Sequence, residues 1–218
     1  MKNYYVIPDI HGCNHLLEKA LAYIYSKNPD GGKIIFLGDY IDRGPDNRAV
    51  LETVMNPPSE WEFICLKGNH EDMFVSDYME FARFYDQKVA AEFNNRIVAS
   101  YDILHSAIPL EVIQWINQLK LFHIEDQNVF AHAFYNDKLA PDDQDERECL
   151  WVRMLDHEIY QNDIQGLFLT HGHTPRAHGP VWSGNRINLD AGAVYYGTLY
   201  VGEYAPGEKG PVHIHSFS

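Results

Sequence analysis

Lys33-Ile34-Ile35-Phe36-Leu37-Gly38-Asp39-Tyr40-Ile41-Asp42-Arg43-Gly44 is the stretch that decides the fold. Its first half is a continuous apolar run of strand length, as expected of a strand covered on both faces, and its second half is a turn rich in Gly and Asp. A strand that releases its charged residues just past its C-terminal end belongs to an α/β sheet, where chemistry gathers along one edge. Gly38 and Gly44 permit tight turns that bring Asp42 and Arg43 back towards that edge, and the planar donors of Arg43 suit phosphate oxygens.

The same unit recurs in both directions along the chain. Runs at Tyr4 to Ile7, Trp61 to Leu66, Asn128 to Ala131 and Gly166 to Thr170 each end in a polar cluster. Between them, Asn14 to Tyr25 carries Leu16, Leu17, Ala20, Leu21 and Ile24 at helical spacing, with Asn14 placed as the cap. Asp46 to Met55 repeats the pattern ahead of Pro57 and Pro58. Glu71 to Asn95 and Pro109 to Leu119 predict a helical cap or insert over 71–118. Five carboxylates between Pro141 and Glu148 predict an exposed acidic loop within 135–150. From Pro180 onward, glycines alternate with short apolar runs and predict a terminal antiparallel meander.

With 218 residues, 45% of them hydrophobic, the chain predicts a single domain. Thirty-one acidic against 17 basic residues give a formal charge of -14, which argues against nucleic acid and anionic membrane as partners. The N-terminal apolar run is too short for a signal-peptide core and no stretch of about 18 apolar residues occurs, so a cytoplasmic protein is expected. Cys13, Cys65 and Cys149 are odd in number and lack CxxC spacing, which indicates neither a disulfide framework nor a thiolate metal cage.

The strand-end clusters carry the chemistry. In Asp9-Ile10-His11-Gly12, i, i+2 spacing in extended backbone points carboxylate and imidazole to one side. Asp39 leaves the sheet at the corresponding place on a neighbouring strand and is a candidate to bridge two cations. Lys67-Gly68-Asn69-His70-Glu71 offers a neutral amide oxygen beside a His suited to proton transfer. His132, and His171-Gly172-His173-Thr174, add imidazoles at two further strand ends. Any one of the 12 histidines is more often a satisfied core or surface residue. Five clusters in order, each at the end of a strand, outweigh that reading. Imidazole, carboxylate and amide oxygen together suit borderline or hard divalent cations.

The motifs DxHG, GDxxDRG, GNHE, HA and GHT resemble, in this order, those of the calcineurin-like metallophosphoesterases, and within them the phosphoprotein phosphatase branch. The compact length and the run Asn188 to Val194 look most like the small phage and bacterial serine/threonine phosphatases. The resemblance implies a sandwich of two mixed β-sheets flanked by helices (α/β/β/α). It also implies two divalent metal ions, Mn2+ being expected and Fe or Zn the alternatives, and in-line attack on phosphorus by a metal-bridging hydroxide. Carried over residue by residue, it makes Asp9, His11 and Asp39 ligands of one metal and Asp39, Asn69, His132 and His173 ligands of the other. Arg43, Arg153 and Asn69 would hold the substrate phosphate, His70 would protonate the leaving group, and Asp42 would orient His70. Arg153 is placed by Trp151-Val152-Arg153. His171 is the alternative to His173, and Phe134 departs from the small residue of many relatives, which predicts a narrower or more apolar mouth near His132.

The function implied is that of a serine/threonine protein phosphatase acting on a phosphoprotein or a small phosphorylated substrate. A symmetric bis(5'-nucleosyl)-tetraphosphate hydrolase is the alternative, against which Asp42 and Glu71 speak. A catalytically inactive metal-binding interaction module is a third reading, opposed by the completeness of the ligand and proton-transfer sets.

Overall fold

Tyr4–Ile7 forms β1 and is buried along its whole length, yet its alternate residues serve different layers. Tyr4 and Val6 pack with Ile35, Leu37, Phe130, Phe168, Ile187 and Leu189. Tyr5 and Ile7 point the other way, into a cluster with Leu16, Leu17, Ala20, Val50 and Leu51. A strand whose side chains alternate at period two and are apolar on both faces must lie between two layers. The computed structural model, which describes residues 2–84, 109–153 and 166–218, shows those layers to be a second sheet on one face and helices on the other.

The first sheet has the order β10-β9-β1-β2-β3, with β2 at Gly32–Phe36, β3 at Trp61–Cys65, β9 at Leu199–Tyr204 and β10 at His213–Phe217. β1, β2 and β3 run parallel, and β9 and β10 add an antiparallel hairpin at the edge. Helices α1 (Asn14–Lys27) and α2 (Asn47–Met55) make the crossovers between the parallel strands. α1 buries Leu16, Leu17, Ala20, Leu21 and Ile24. Its N-cap is Cys13 rather than Asn14, whose side-chain amide instead donates to Glu18 at 2.9 Å.

The second sheet has the order β4-β5-β6-β8-β7: Phe122–Glu125, Asn128–Ala131, Phe168–His171, Arg186–Asn188 and Val181–Ser183 respectively. β5, β6 and β8 are parallel, with antiparallel strands at both edges. The expected terminal meander is therefore divided: β7 and β8 complete the second sheet, and β9 and β10 complete the first. The physical reason is that β9 buries Leu199 and Val201 against the helical layer and Tyr204 against the second sheet, a two-sided burial available only beside β1.

α3 spans Asn69–Phe84 and α4 spans Leu110–Asn117. The remainder of the expected insert, 85–108, lies outside the described residues. The acidic segment is exposed but regular, with a 3-10 turn at Pro141–Asp143 and helix α5 at Glu146–Trp151, whose Asp145 cap accepts the Glu148 amide at 3.0 Å. A short helix, α6, covers Ala193–Tyr196. No helix among the described residues is long and apolar enough to cross a membrane.

The sheet-to-sheet layer centres on Phe130, which is fully buried and meets Tyr4 and Tyr204 edge-on at ring distances of 6.0 and 5.3 Å. Phe130→Ala is expected to lower unfolding free energy by about 3–5 kcal/mol in urea titrations, the range for large core truncations.

Candidate metal centre

Five strands of the parallel cores end one to five residues before a side chain of the site: β1 before Asp9 and His11, β2 before Asp39, β3 before Asn69 and His70, β5 before His132, β6 before His173. Among the described residues six non-glycines have positive φ, and five of them are His11, Asp39, Asp42, Arg43 and His173, at 46°, 54°, 71°, 69° and 68°. Such backbone is costly for residues with a Cβ and persists where the surroundings impose it. Asp9 and His11 therefore leave β1 on a turn and not on an extended strand. Gly44 serves by close approach, since a Cβ there would lie 1.9 Å from the His11 carbonyl oxygen. Gly38 turns at a φ of 98° as expected, and Asp42 and Arg43 themselves adopt left-handed backbone ahead of Gly44.

The side chains meet in two groups that share Asp39. One is His11, Asp39 and His70, and the other is Asp39, His132 and His173. His11 Nε2 lies 3.4 Å from Asp39 Oδ2, and His132 Nε2 lies 3.6 Å from Asp39 Oδ1. Asn69 Oδ1 stands 3.0 Å from both His132 Nε2 and His173 Nδ1, which are 3.1 Å apart. With at most the His173 Nδ1 proton to share among them, these atoms form a set of electron-pair donors suited to a cation. Asp9 stands outside both groups, and both of its carboxylate oxygens take the His173 amide at 3.1 Å. Gly172 packs over it so closely that a Cβ would fall 2.0 Å from Asp9 Oδ1.

Backbone carbonyls set the tautomers. His11 Nδ1 faces the Ile41 carbonyl at 2.7 Å and His132 Nδ1 faces the Leu37 carbonyl at 3.0 Å. Each ring then keeps its proton on Nδ1 and presents the Nε2 lone pair to the cluster, as second-layer partners of metal-binding histidines do. Arg43 Nη1 contacts His11 Nε2, and its guanidinium carbon is 5.8 Å from the Tyr195 ring centroid. His70 Nδ1 is 2.6 Å from Asp42 Oδ2, which fixes that ring at the rim of the first group. The His70 amide, in the first turn of α3, donates to Asp39 Oδ1 at 3.0 Å, so a helix N-terminus also faces the shared carboxylate.

Burial dominates the electrostatics. It raises the Asp9 and Asp39 carboxyls well above the usual range, with Asp190 and Asp39 repelling the first and Glu71 and Asp190 the second. Burial lowers His11 to about 3, helped by Arg43, and His173 to about 4, helped by Arg153. His132 is also held well below its ordinary value, by burial and then His173. Neutral imidazoles and crowded carboxylates form a donor set that a divalent cation relieves on both counts. The residues thus fit the metals that the sequence implied.

His171 is buried, and its Nδ1 faces the Gly172 carbonyl at 3.1 Å, away from this constellation. β6 ends at that residue, and the left-handed backbone at His173 turns the second imidazole inward instead. Phe134 does not narrow the mouth: it is buried with Val129, Ala131, Tyr135 and Leu169 on the outer face of the second sheet. Two contributors were passed over as site residues in the sequence. Glu71 is fully buried and accepts the amides of Asp39, Tyr40, Ile41 and Gly68 at 2.8, 2.9, 3.3 and 3.0 Å. Asp190 is buried beside Asp9, accepts the Gly192 amide at 2.8 Å, and has its carboxyl pushed up to about 6 by burial. Its only sequence signal is a carboxylate closing an apolar strand.

A constellation of this kind at the common edge of two mixed sheets suits a metal-dependent hydrolase of phosphate esters. The model of the calcineurin-like phosphoesterase family matches residues 3–201, and the chain belongs to that family. A protein of Anoxybacillus flavithermus named bis(5'-nucleosyl)-tetraphosphatase PrpE [asymmetrical] is 28% identical over 225 residues, covering 90% of this chain and 88% of its own. A Bacillus cereus protein of the same name is 28% identical with the same coverage. Among solved structures, a candidate diadenosine tetraphosphatase superposes with a TM-score of 0.69 at 20% identity, over 98% of this chain and 92% of its own. A cold-active protein-tyrosine phosphatase of Shewanella gives 0.62 at 16% identity, over 100% and 81%. A Saccharomyces cerevisiae serine/threonine phosphatase gives 0.57 at 16% identity, over 99% and 79%.

Glu71→Gln removes half of the acceptor capacity that ties four amides. A loss of about 1.5–3 kcal/mol in chemical denaturation is expected, the scale of a hydrogen bond to a charged group. Asp190 gives a pH signature in protein stripped of metal with chelator. Its folded carboxyl is raised from 3.8 to about 6, so its contribution is complete below pH 3.8 and disappears as pH rises through about 6. Asp190→Asn should therefore gain stability relative to wild type between about pH 4 and pH 7, and a flat difference would remove Asp190 from the repelling cluster.

Proposed function

We propose that the protein hydrolyses dinucleoside tetraphosphates, cleaving the polyphosphate chain off centre. The observation that carries this reading is the similarity to the two tetraphosphatases along nine-tenths of the chain. The site is consistent with it, because Arg43 and Arg153 supply two cationic groups for a substrate that carries several phosphates. The symmetric cleavage considered from sequence is the less favoured variant.

Asp9, His11 and Asp39 would hold one divalent cation and Asp39, Asn69, His132 and His173 a second, with Mn2+ the proposed metal. When bound, such ions supply charge stabilisation at phosphoryl oxygens and activate a water nucleophile. The protein's own groups do the remainder. Arg43 grips the phosphate being attacked, Arg153 approaches from the α5 side, and Asn69 adds an amide to the phosphate pocket. Asp42 holds His70 through Nδ1, which leaves Nε2 as the proton carrier for the departing oxygen.

The same Asp42 and His70 pair favours a second reading. A terminal nucleotide leaves as a weakly basic phosphate and needs little protonation, whereas a serine or threonine alkoxide needs an acid. Dephosphorylation of phosphoserine or phosphothreonine is therefore a proposed activity of the same site.

With Mn2+ added, hydrolysis of diadenosine tetraphosphate, p-nitrophenyl phosphate and a phosphoserine peptide is expected to separate these readings. Asp39→Asn should abolish turnover of every substrate the wild type accepts. His70→Asn should lower kcat by about 10²–10⁴ for the alkoxide-leaving peptide and by much less for the dinucleotide, with metal content unchanged. Full activity in either variant would refute its assigned role.

A further inference from the structure

The surface sinks into a cavity of about 630 Å³ lined by Asp72, Asp145, Glu146, Arg147 and Trp151. That volume lies within the range of small-molecule sites. Its walls come from two elements that already serve the site. α3 contributes Asp72 two residues after His70, and α5 ends on Trp151 two residues before Arg153. The connection is also physical: the Cys149 carbonyl accepts the amide of Ala133, next to His132, and the Trp151 carbonyl acts on the His173 ring.

The lining is chemically mixed in a specific way. Trp151 keeps 38% of its surface exposed although Cys149 and Leu150 before it are buried. Asp145 is committed to capping α5, and Glu146 pairs with Lys67 at 3.3 Å. Among the described residues, Asp72 and Arg147 remain to meet a ligand, one offering only acceptors and the other only donors. A bare phosphate would face three carboxylates there. A flat heterocycle with an amino donor and a ring-nitrogen acceptor satisfies the aromatic face, the carboxylate and the guanidinium together.

We propose that this cavity seats a purine base of the substrate, stacked on Trp151, with its amino edge on Asp72 and a ring acceptor on Arg147. The proposal rests on the dinucleoside reading above. It places the base two residues from Arg153, so the phosphates that follow run under that arginine into the centre. Trp151 and Asp72 are thus specificity-determining residues, distinct from those that handle the phosphoryl group.

The test compares kcat/KM for diadenosine tetraphosphate with kcat/KM for p-nitrophenyl phosphate, which has no base. In Trp151→Ala the ratio of the two should fall about tenfold or more through a raised KM for the dinucleotide, the scale of one lost stacking contact. Trp151→Phe should restore most of it. Asp72→Asn should narrow the preference for diadenosine over diuridine tetraphosphate, because uracil lacks the amino group. A ratio unchanged in Trp151→Ala, or equal losses on both substrates, would overturn the subsite while leaving the dinucleoside reading standing. Wild-type protein that cleaves p-nitrophenyl phosphate but not diadenosine tetraphosphate would overturn both.

Discussion

One buried carboxylate organises the loops on which the site depends. Glu71 takes the amides of Asp39, Tyr40, Ile41 and Gly68 and so ties the turn after β2 to the start of α3. Asp39 then has its backbone held by Glu71 and its side chain held by the His70 amide, which fixes the one residue common to both metal-capable groups. That anchor works with the Asp39 carbonyl, which accepts the amides of Ile10 and His11, to hold the turn in which Asp39 adopts left-handed backbone. The strain at the site is therefore balanced by a group that faces neither substrate nor cation.

The fold was largely legible because its signals are local. β1 and β5 lie where the apolar runs place them, and β2, β3 and β6 differ from them by one or two residues at their ends, since a strand covered on both faces leaves an uninterrupted apolar run. Edge strands leave weaker traces: β4, reading Phe-His-Ile-Glu, is half-buried and was not expected as a strand. The partition of β7 to β10 between two sheets depends on contacts far apart in the chain, which a pattern of glycines and short apolar runs does not encode. At the site, residue types and order pointed to the constellation, but geometry did not follow from spacing. His171 and His173 differ by one turn of backbone, and the role of Glu71 rests on four amides that no spacing in the sequence specifies.

The charge of the chain and the charge of the site obey different rules. A formal charge of -14 describes a solvated surface, where water and salt screen each group. Inside, burial raises the carboxyls of Asp9, Asp39 and Asp190, while Arg43 and Arg153 stand exposed at the rim. The acidic surface is compatible with the proposed binding of phosphate, because the two exposed arginines lie next to the site while most carboxylates do not share it.

The two sheets touch across the centre through hydrogen bonds as well as through their apolar layer. The Leu37 carbonyl of the first sheet orients His132 of the second, and Asp9 of the first holds the amide of His173 from the second. Neither half of the chain owns a complete set of donors, so the site exists only as a seam between them. A displacement of one sheet against the other by less than the width of a side chain would dismantle it with the hydrophobic layer still closed. Activity would then report on the alignment of the sandwich, and could be lost well before the protein unfolds.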